Sequence, residues 1–159
     1  MSNTLRITAE HIKDGVYIGP DVSNYDGSIE IAANLGTVRF AGYIRATKRL
    51  SALPGSGIEA GWGIKAGEGI EAGSGIEAGS GIEAGEGIEA GWGIKAGSGI
   101  EAGWGIKAGL GIDGKFIDVK LRIFAGLCMW KIPTDAEMRI RAKISRGTVA
   151  HGTLVEPSK

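Results

Sequence analysis

Residues 55–114 read GSGIEAGWGIKAGEGIEAGSGIEAGSGIEAGEGIEAGWGIKAGSGIEAGWGIKAGLGIDG, which is ten consecutive six-residue units of the form G-x-G-I-[E/K/D]-A. Only the last unit departs, with Gly in place of Ala. Spacing this regular is typical of a repeat architecture. Two glycines per unit exclude a helix, because each would cost about 1 kcal/mol in a helix interior. A disordered linker would not keep Ile at the fourth position of every unit, so we interpret the block as short strands joined by tight bends.

Each predicted strand is the triplet I-[E/K]-A, in which alternation places Ile and Ala inside and the charged residue outside. The bend is G-x-G, and we expect its glycines to adopt backbone angles that other residues cannot reach. Stacked coils would pair neighbouring strands about 4.8 Å apart along the axis. The sequence therefore predicts an all-β protein, a short parallel β-helix or solenoid of hexapeptide repeats with β-rich capping flanks.

Read from the isoleucine, the unit I-E-A-G-S-G resembles the hexapeptide-repeat family of left-handed parallel β-helices. The units that begin at Ile70 and Ile76 match that family's pattern fully, with Ser74 and Ser80 at its small fifth position. Most other units carry Trp, Glu or Leu at this position, which in the family points into a cramped corner. The resemblance covers the repeat block and implies a β-solenoid, but it does not imply a particular function.

The charged residues distinguish two coil lengths. A coil of three units stacks the columns 59-77-95-113, 65-83-101 and 71-89-107, which contain four opposite-charge neighbours and three like-charge neighbours. A coil of two units gives two opposite and six like neighbours. Because like charges on adjacent strands are unfavourable, we predict a triangular coil of 18 residues. A 12-residue coil is kept as the alternative, because only that coil stacks Trp92 on Trp104.

The flanks keep parts of the repeat pattern. Upstream, the six-residue spacing continues through residues 38–40, 44–46 and 50–52. Downstream, residues 116–124 alternate, with Val119, Leu121 and Ile123 predicted on one face. The predicted organisation is an N-terminal cap with irregular first coils (1–54), the hexapeptide-repeat β-solenoid (55–114) and a basic β-rich C-terminal segment (115–159).

Charge is segregated along the chain although the formal net charge is zero. Residues 1–54 carry a net +1, the repeat block −6 and residues 115–159 +5. A polarised object of this kind offers two surfaces of opposite sign. We expect a protein partner and a homo-oligomer (dimer or trimer), with direct nucleic-acid binding only through the basic segment 115–159.

The candidate binding residues are the charged and aromatic residues of the repeat. Every unit with Trp at its second position has Lys at its fifth, which suggests either a cation–π pair or duplication of whole units. Tryptophan outside the coil would suit an interface, where this residue is enriched. The predicted binding residues are Trp62, Trp92, Trp104, Glu68, Glu71, Glu86, Glu89, Lys65, Lys95 and Lys107.

Signs of catalytic chemistry are few. The G-x-G runs lack the strand-turn-helix context of phosphate-binding loops, and His11, His151 and Cys128 show no metal-ligand spacing. We therefore expect no catalytic residues, no metal and no cofactor. Many hexapeptide-repeat proteins are acyltransferases with a catalytic His between subunits, but no His lies in this repeat.

The predicted function is a non-catalytic protein-binding module that presents a rigid acidic and aromatic surface. A narrower form is an inhibitor, encoded by a phage or mobile element, that blocks a nucleic-acid-binding partner. The alternatives are a self-assembling scaffold or fibre segment, and a hexapeptide-repeat acyltransferase; an ice-binding surface would need the Thr ladders that are absent here. One Cys fits a reducing compartment, so we expect a cytoplasmic protein, and no stretch approaches the roughly 20 apolar residues of a membrane span.

Overall fold

Each I-[E/K]-A triplet of the repeat is a short parallel strand with buried Ile and Ala and an outward central residue. A computed structural model describes residues 3–157 and shows a β-solenoid of about seven turns, which confirms the predicted fold class. The chain forms a 3-10 turn at Ala9–His11 and these strands: β1 (Thr4–Ile7), β2 (Ile12–Lys13), β3 (Val16–Tyr17), β4 (Ser28–Ile31), β5 (Gly36–Phe40), β6 (Ile44–Ala46), β7 (Leu50–Ala52), β8 (Ser56–Ala60), β9 (Ile64–Ala66), β10 (Ile70–Ala72), β11 (Ile76–Ala78), β12 (Ile82–Ala84), β13 (Ile88–Ala90), β14 (Ile94–Ala96), β15 (Gly99–Ala102), β16 (Ile106–Ala108), β17 (Ile112–Phe124), β18 (Arg139–His151) and β19 (Thr153–Val155).

Every third strand pairs in parallel, so the coil is a triangle with three faces. Face 1 stacks β1, β4, β7, β10, β13 and β16. Face 2 stacks β5, β8, β11 and β14, and face 3 stacks β6, β9, β12 and β15. Within the repeat, paired residues such as Ile70 and Ile88 are 18 positions apart. The 18-residue coil is confirmed and the 12-residue alternative is wrong.

The charge columns that favoured this coil are observed. Glu59 pairs with Glu77, Glu77 with Lys95, and Lys95 with Asp113 in the register of face 2. Three of the four predicted opposite-charge neighbours form ion pairs between adjacent coils: Lys65–Glu83 at 3.1 Å, Lys107–Glu89 at 3.3 Å and Lys95–Glu77 at 3.7 Å. All six side chains are about half exposed, so each pair contributes little to stability alone. Together they favour this register over its alternatives.

The core is a set of stacked aliphatic columns. All ten isoleucines of the repeat are at most 1% exposed, and the repeat alanines are at most 5% exposed. Burying an Ile side chain is worth about 1.5–3 kcal/mol, so the Ile columns supply most of the stabilisation of each coil. Alanine fits beside them because it faces inward next to the bend, where the triangle narrows.

The glycines of the bends are needed for close packing between coils, and not for unusual backbone angles as we expected. Within residues 55–114, only Gly55 has a positive φ, at 82°. A Cβ on the first glycine of a bend, as at Gly85, would lie far inside contact distance of the carbonyl oxygen of Gly67 in the preceding coil. A Cβ on the second glycine, as at Gly87, would lie 3.6 Å from the nearest backbone oxygen, an ordinary contact. The first glycine is therefore sterically essential at every bend of the repeat, whereas the second is essential only at some bends, such as Gly105, where a Cβ would lie 2.6 Å from the carbonyl oxygen of Arg122.

The solenoid continues through both flanks without a break in pairing. The upstream triplets form β5, β6 and β7 as predicted. Downstream, β17 and β18 each wind around all three faces, and β19 adds a last strand on face 2. Leu121 was predicted to share one face with Val119 and Ile123, but it is 61% exposed whereas those two are buried. The chain turns a corner at Leu121, so strict alternation fails there.

Two irregular segments depart from the triangle. At the N-terminal end, the 3-10 turn and the antiparallel pair β2–β3 lie beyond the first parallel strands. Between β17 and β18, residues 125–138 leave the coil as a loop, and paired Ile112 and Ile140 are 28 positions apart instead of 18. This loop places several large apolar side chains beside the repeat.

Candidate binding site

The second residue of each G-x-G bend lies on a corner of the prism, where backbone hydrogen bonds stack it on the corresponding residues of the neighbouring coils. The three corner columns are as follows: corner 1–2 has Ser56, Ser74, Trp92 and Leu110; corner 2–3 has Trp62, Ser80, Ser98 and Lys115; corner 3–1 has Lys48, Glu68, Glu86, Trp104 and Leu121. Ser56 is buried, and its hydroxyl donates a hydrogen bond to the carbonyl oxygen of Ala32. The other corner residues are partly or fully exposed, while the inward small residue of the repeat unit is Ala. Bulky Trp and Glu are therefore accommodated at the position that matches the family's small residue.

The three repeat tryptophans point away from the core. Trp62, Trp92 and Trp104 are 57%, 52% and 58% exposed. Each belongs to a different corner column, so the structure does not bring them together into one surface. Trp62 packs edge-on against Tyr43 at 5.1 Å between ring centroids.

The lysines that accompany these tryptophans have a different partner from the one suggested by the sequence. Among residues 3–157, the cation–π contacts join Arg45 to Tyr43 and Lys131 to Trp130, so the predicted pairs between repeat Trp and Lys are wrong. Each repeat lysine instead reaches a glutamate on an adjacent coil. The physical reason is geometric: the corner residue and the mid-strand lysine point in different directions, whereas the next coil is about 4.8 Å away.

Six of the ten predicted binding residues lie together at corner 3–1. The corner column and the outward column of face 1 run side by side, separated by a groove of about 620 Å³ that we call groove 1. Its floor is a column of second glycines, Gly69, Gly87 and Gly105, which have no side chains to fill the space. The six residues brought together are Glu68, Glu71, Glu86, Glu89, Trp104 and Lys107.

Groove 1 is closed at each end by an arginine that the sequence analysis missed. Arg49 and Arg122 occupy the same backbone column as the floor glycines, one coil before Gly69 and one coil after Gly105. Both line the groove. They could have been found by noting that each directly precedes an inward aliphatic residue, Leu50 or Ile123, as the second glycine does in the repeat.

Groove 1 and its rim carry charged groups that form no ion pair among residues 3–157. Lys107 pairs with Glu89 at 3.3 Å. Within residues 3–157, no ion pair involves Glu68, Glu71, Glu86, Arg49 or Arg122. The apolar side chains of Trp104, Leu121 and Phe124 line the C-terminal half. From the N-terminal end of the solenoid, the groove therefore begins at Arg49, is acidic over the next two coils, and is apolar and basic over the last two.

A second surface, which we call the tryptophan patch, lies at corner 1–2 and consists of Trp92, Met129, Trp130 and Ile132. The ring centroids of Trp92 and Trp130 are 5.6 Å apart. Met129 and Ile132 are 100% and 95% exposed at the tip of the loop. Sequence reasoning missed the loop members of this patch because residues 125–138 have no repeat period.

The loop of the tryptophan patch is fixed by polar contacts. Lys131 donates a hydrogen bond to Glu137, and the Cys128 thiol donates to the carbonyl oxygen of Lys131 at 3.1 Å. The Lys131 hydrogen bond, followed by the backbone N–H of Thr134, lowers the pKa of Glu137 below its ordinary value. Cys128 is half-buried beneath this turn.

The two histidines have local hydrogen-bonding partners. Nδ1 of His11 accepts a hydrogen bond from the backbone N–H of Thr8 at 3.1 Å, and Nδ1 of His151 lies 2.6 Å from the carbonyl oxygen of Ala125. Across residues 3–157, no cluster of three or more His, Cys, Asp or Glu is arranged to hold a metal ion. The same part of the chain contains no helix long and apolar enough to cross a membrane.

Comparison with known proteins gave no match among family models, curated proteins or solved structures. The hexapeptide-repeat family therefore stays a prediction from the residues of the repeat. The geometry of the two surfaces, groove 1 and the tryptophan patch, is what bears on function.

Proposed function

We propose that this protein is a non-catalytic binding module that presents exposed tryptophans and carboxylates to a protein partner from a rigid prism. The observation that carries the proposal is the exposure of all four tryptophans, each more than half accessible, on a frame whose repeat isoleucines are completely buried. Tryptophan is the residue most enriched at binding hot spots. Exposing four of them costs solubility unless a partner covers them.

The tryptophan patch supplies the strongest apolar contact. Its two indole rings pack against each other, so little side-chain entropy remains to be lost when a partner binds. Met129 and Ile132 extend the patch and adapt to an uneven surface. A partner with an apolar pocket would bury this patch, while the charged columns around it would set orientation.

Affinity capture from an extract of the native host tests the proposal, with the wild-type chain beside Trp92→Ser/Trp130→Ser. We expect a protein captured by the wild type to be lost with the double variant. Ile18→Ser, which removes an exposed apolar residue at the N-terminal end, is the matched control and should capture that protein as the wild type does. Identical capture by all three chains would contradict the proposal.

A narrower form of the proposal is an inhibitor that occupies the nucleic-acid site of its partner. What supports it is the group of Glu68, Glu71, Glu86 and Glu89, four carboxylates on two adjacent coils about 4.8 Å apart. Such a group suits a basic surface that otherwise binds phosphates. In a competition assay, the chain should displace DNA or RNA from the captured partner, and Glu71→Gln/Glu89→Gln should displace less. No displacement, or no effect of the double variant, would refute mimicry.

A scaffold is the second candidate function. The observation that favours it is an open strand edge at the C-terminal end of the solenoid. β18 forms this edge on faces 1 and 3, β19 forms it on face 2, and residues 3–157 provide no further strand to pair with them. Open edges can pair with other chains. Light scattering after size exclusion separates the two: a discrete species supports the binding module, and long heterogeneous species support a scaffold. A cytoplasmic location belongs to the same proposal and rests on the single Cys.

A further inference from the structure

Along groove 1, the order of charged side chains from coil to coil is complementary to the same order taken in the opposite direction. Two successive coils are acidic along the corner and the outward column of face 1, and the next two are basic and apolar. The acidic coils carry Glu68 with Glu71 and Glu86 with Glu89; the following coils carry Trp104 with Lys107 and Leu121 with Arg122 and Phe124. A surface with this order matches a copy of itself in the antiparallel direction.

We propose that a second copy of this chain docks in groove 1 to form an antiparallel dimer with two-fold symmetry. The two-fold axis would lie in the plane of face 1, perpendicular to the solenoid axis and midway between the coils of Glu89 and Lys107. Such an axis reverses the coil order but keeps each column opposite the same column of the partner. The acidic half of each chain then faces the basic half of its partner, so the same contact forms twice in the dimer.

The register of the groove defines the main contact of this dimer. Arg122 lies in the column of the floor glycines, so Arg122 of the partner subunit would lie over Gly69, between the side chains of Glu68 and Glu71. All three charged groups lack an ion pair within residues 3–157. The dimer would satisfy each of them without breaking a pair that the single chain already has.

The central coils of the groove contribute apolar and charged contacts. Trp104 would face Glu86 of the partner subunit and cover part of the glycine floor beside it. Lys107, already 3.3 Å from Glu89 of its own chain, would face Glu89 of the partner subunit as well. Two lysines and two glutamates would then alternate across the axis, an arrangement that stabilises more than isolated surface pairs do.

Other occupants fit the groove less well than a second copy. A uniformly basic partner would meet Arg49, Lys107 and Arg122, and a uniformly acidic partner would meet the four glutamates. A parallel copy would place like charges opposite each other, which disfavours that arrangement. A surface that matches groove 1 must carry both positive and negative charges, in the reverse order along the solenoid axis. Groove 1 of a second, antiparallel copy is such a surface.

The dimer goes beyond the proposed function: it leaves the tryptophan patch free for the protein partner, but it would cover the four glutamates of the narrower, inhibitor form. It covers corner 3–1, whereas the tryptophan patch is on corner 1–2 and stays accessible in both copies. A pair of chains would therefore present two patches, which strengthens binding to a partner with two sites. Loss of the dimer would not remove the partner, so the two proposals fail separately.

Sedimentation equilibrium from about 1 μM to about 500 μM tests the dimer, because a small polar face predicts an affinity in this range. We expect the wild type to approach the mass of two chains. The variants Glu68→Arg/Glu71→Arg and Arg122→Glu should each raise the dissociation constant by at least about tenfold. Lys115→Glu, the matched reversal at corner 2–3, should dimerise as the wild type does.

Mixing the two charge-reversed variants is the decisive measurement. Each places like charges opposite each other in its own dimer, but together they place Arg opposite Glu at both contacts. An equimolar mixture should regain the dimer mass, a result that a misfolded variant could not give. A wild type that stays monomeric, a dimer insensitive to both variants, or a mixture no better than its components would overturn the proposal.

Discussion

Replacing one glycine of a single bend by alanine separates the two roles that glycine could have in the solenoid. Gly85 and Gly87 flank Glu86, and neither has a positive φ. If unusual backbone angles required glycine, alanine would be harmful at both positions to a similar degree. Because the requirement is close packing between coils, we expect harm at Gly85 alone.

The magnitude follows from the space around each α-carbon. At Gly85 the new Cβ would have to move more than 1 Å to reach the 3.4 Å of ordinary contact with the carbonyl oxygen of Gly67. That oxygen is a backbone atom, which cannot rotate away as a flexible side chain can, so the coils must separate. Overpacking costs about 1–3 kcal/mol, and we expect the upper part of this range. At about 2–4 °C per kcal/mol for a chain of this size, the Tm should fall by about 4–12 °C.

Gly87→Ala is the matched control, two positions away in the same bend. Its Cβ would lie 3.6 Å from the oxygen of Gly105, and alanine restricts the unfolded chain, a gain of about 0.4–1 kcal/mol where the native backbone accepts it. Thermal unfolding followed by far-UV circular dichroism should show an unchanged or slightly raised Tm. Equal losses of Tm for the two variants, or a larger loss for Gly87→Ala, would refute the steric account.

Three further measurements address the columns and the loop. Glu101→Lys puts a cation between two carboxylates of adjacent coils. The free energy of unfolding should therefore rise by about 0.2–1 kcal/mol, and this gain should shrink in high salt. A fall in the free energy of unfolding would contradict the register. Ile123→Ala should lower the free energy of unfolding by about 2–5 kcal/mol, whereas Leu121→Ala, on an exposed corner, should change it by less than about 0.5 kcal/mol; similar losses would place Leu121 in the core. Because the pKa of Glu137 is lowered in the folded protein, its contacts stabilise the loop above the ordinary carboxyl pKa and are lost as pH falls through the lowered value. Acid should therefore change the fluorescence of Trp130, and Glu137→Gln should show the acid spectrum already at neutral pH. If the wild type and Glu137→Gln have the same spectrum at neutral pH, this role of Glu137 is wrong.

The coil length could be predicted from the sequence because the charges that decide it lie on the surface at fixed spacing. Lys107 faces a glutamate only if the coil contains 18 residues. Over all columns, that coil gives four opposite-charge and three like-charge neighbours, against two and six for a coil of 12 residues. The direction of the bend residue could not be predicted in the same way. It depends on whether the side chain of Ala or that of the middle residue of G-x-G points into the core, and both arrangements satisfy the same six-residue period.

The members of groove 1 were only partly predictable. The repeat places Glu68, Glu86 and Trp104 in one column once the coil length is known. Arg49 and Arg122 join the same groove through coils of different length: the pairs Leu50–Ile70 and Ile106–Ile123 are 20 and 17 positions apart. Irregular spacing of this kind depends on bulges and corner geometry, which periodicity in a single sequence does not reveal.

The tryptophan patch depends on contacts between segments that no local pattern connects. Trp92 belongs to the repeat, but Trp130 reaches it from a loop 38 positions later. The loop conformation is fixed by Lys131, Glu137 and Cys128, and such side-chain contacts follow no sequence period. A strict alternation rule failed for a related reason at Leu121, where a long strand turns a corner.

Cross-linking of introduced cysteines tests the 18-residue coil most directly, since the position of every surface described above follows from it. In a Cys128→Ser background, Glu71→Cys/Glu89→Cys places two thiols directly opposite on adjacent strands of face 1, within the Cα separation of about 4.4–6.8 Å that a disulfide spans. Glu71→Cys/Glu83→Cys, 12 positions apart, places them on different faces. We predict that oxidation or a short bis-thiol reagent links the first pair within one chain and leaves the second pair free. Linkage of the second pair without the first would contradict the triangular coil.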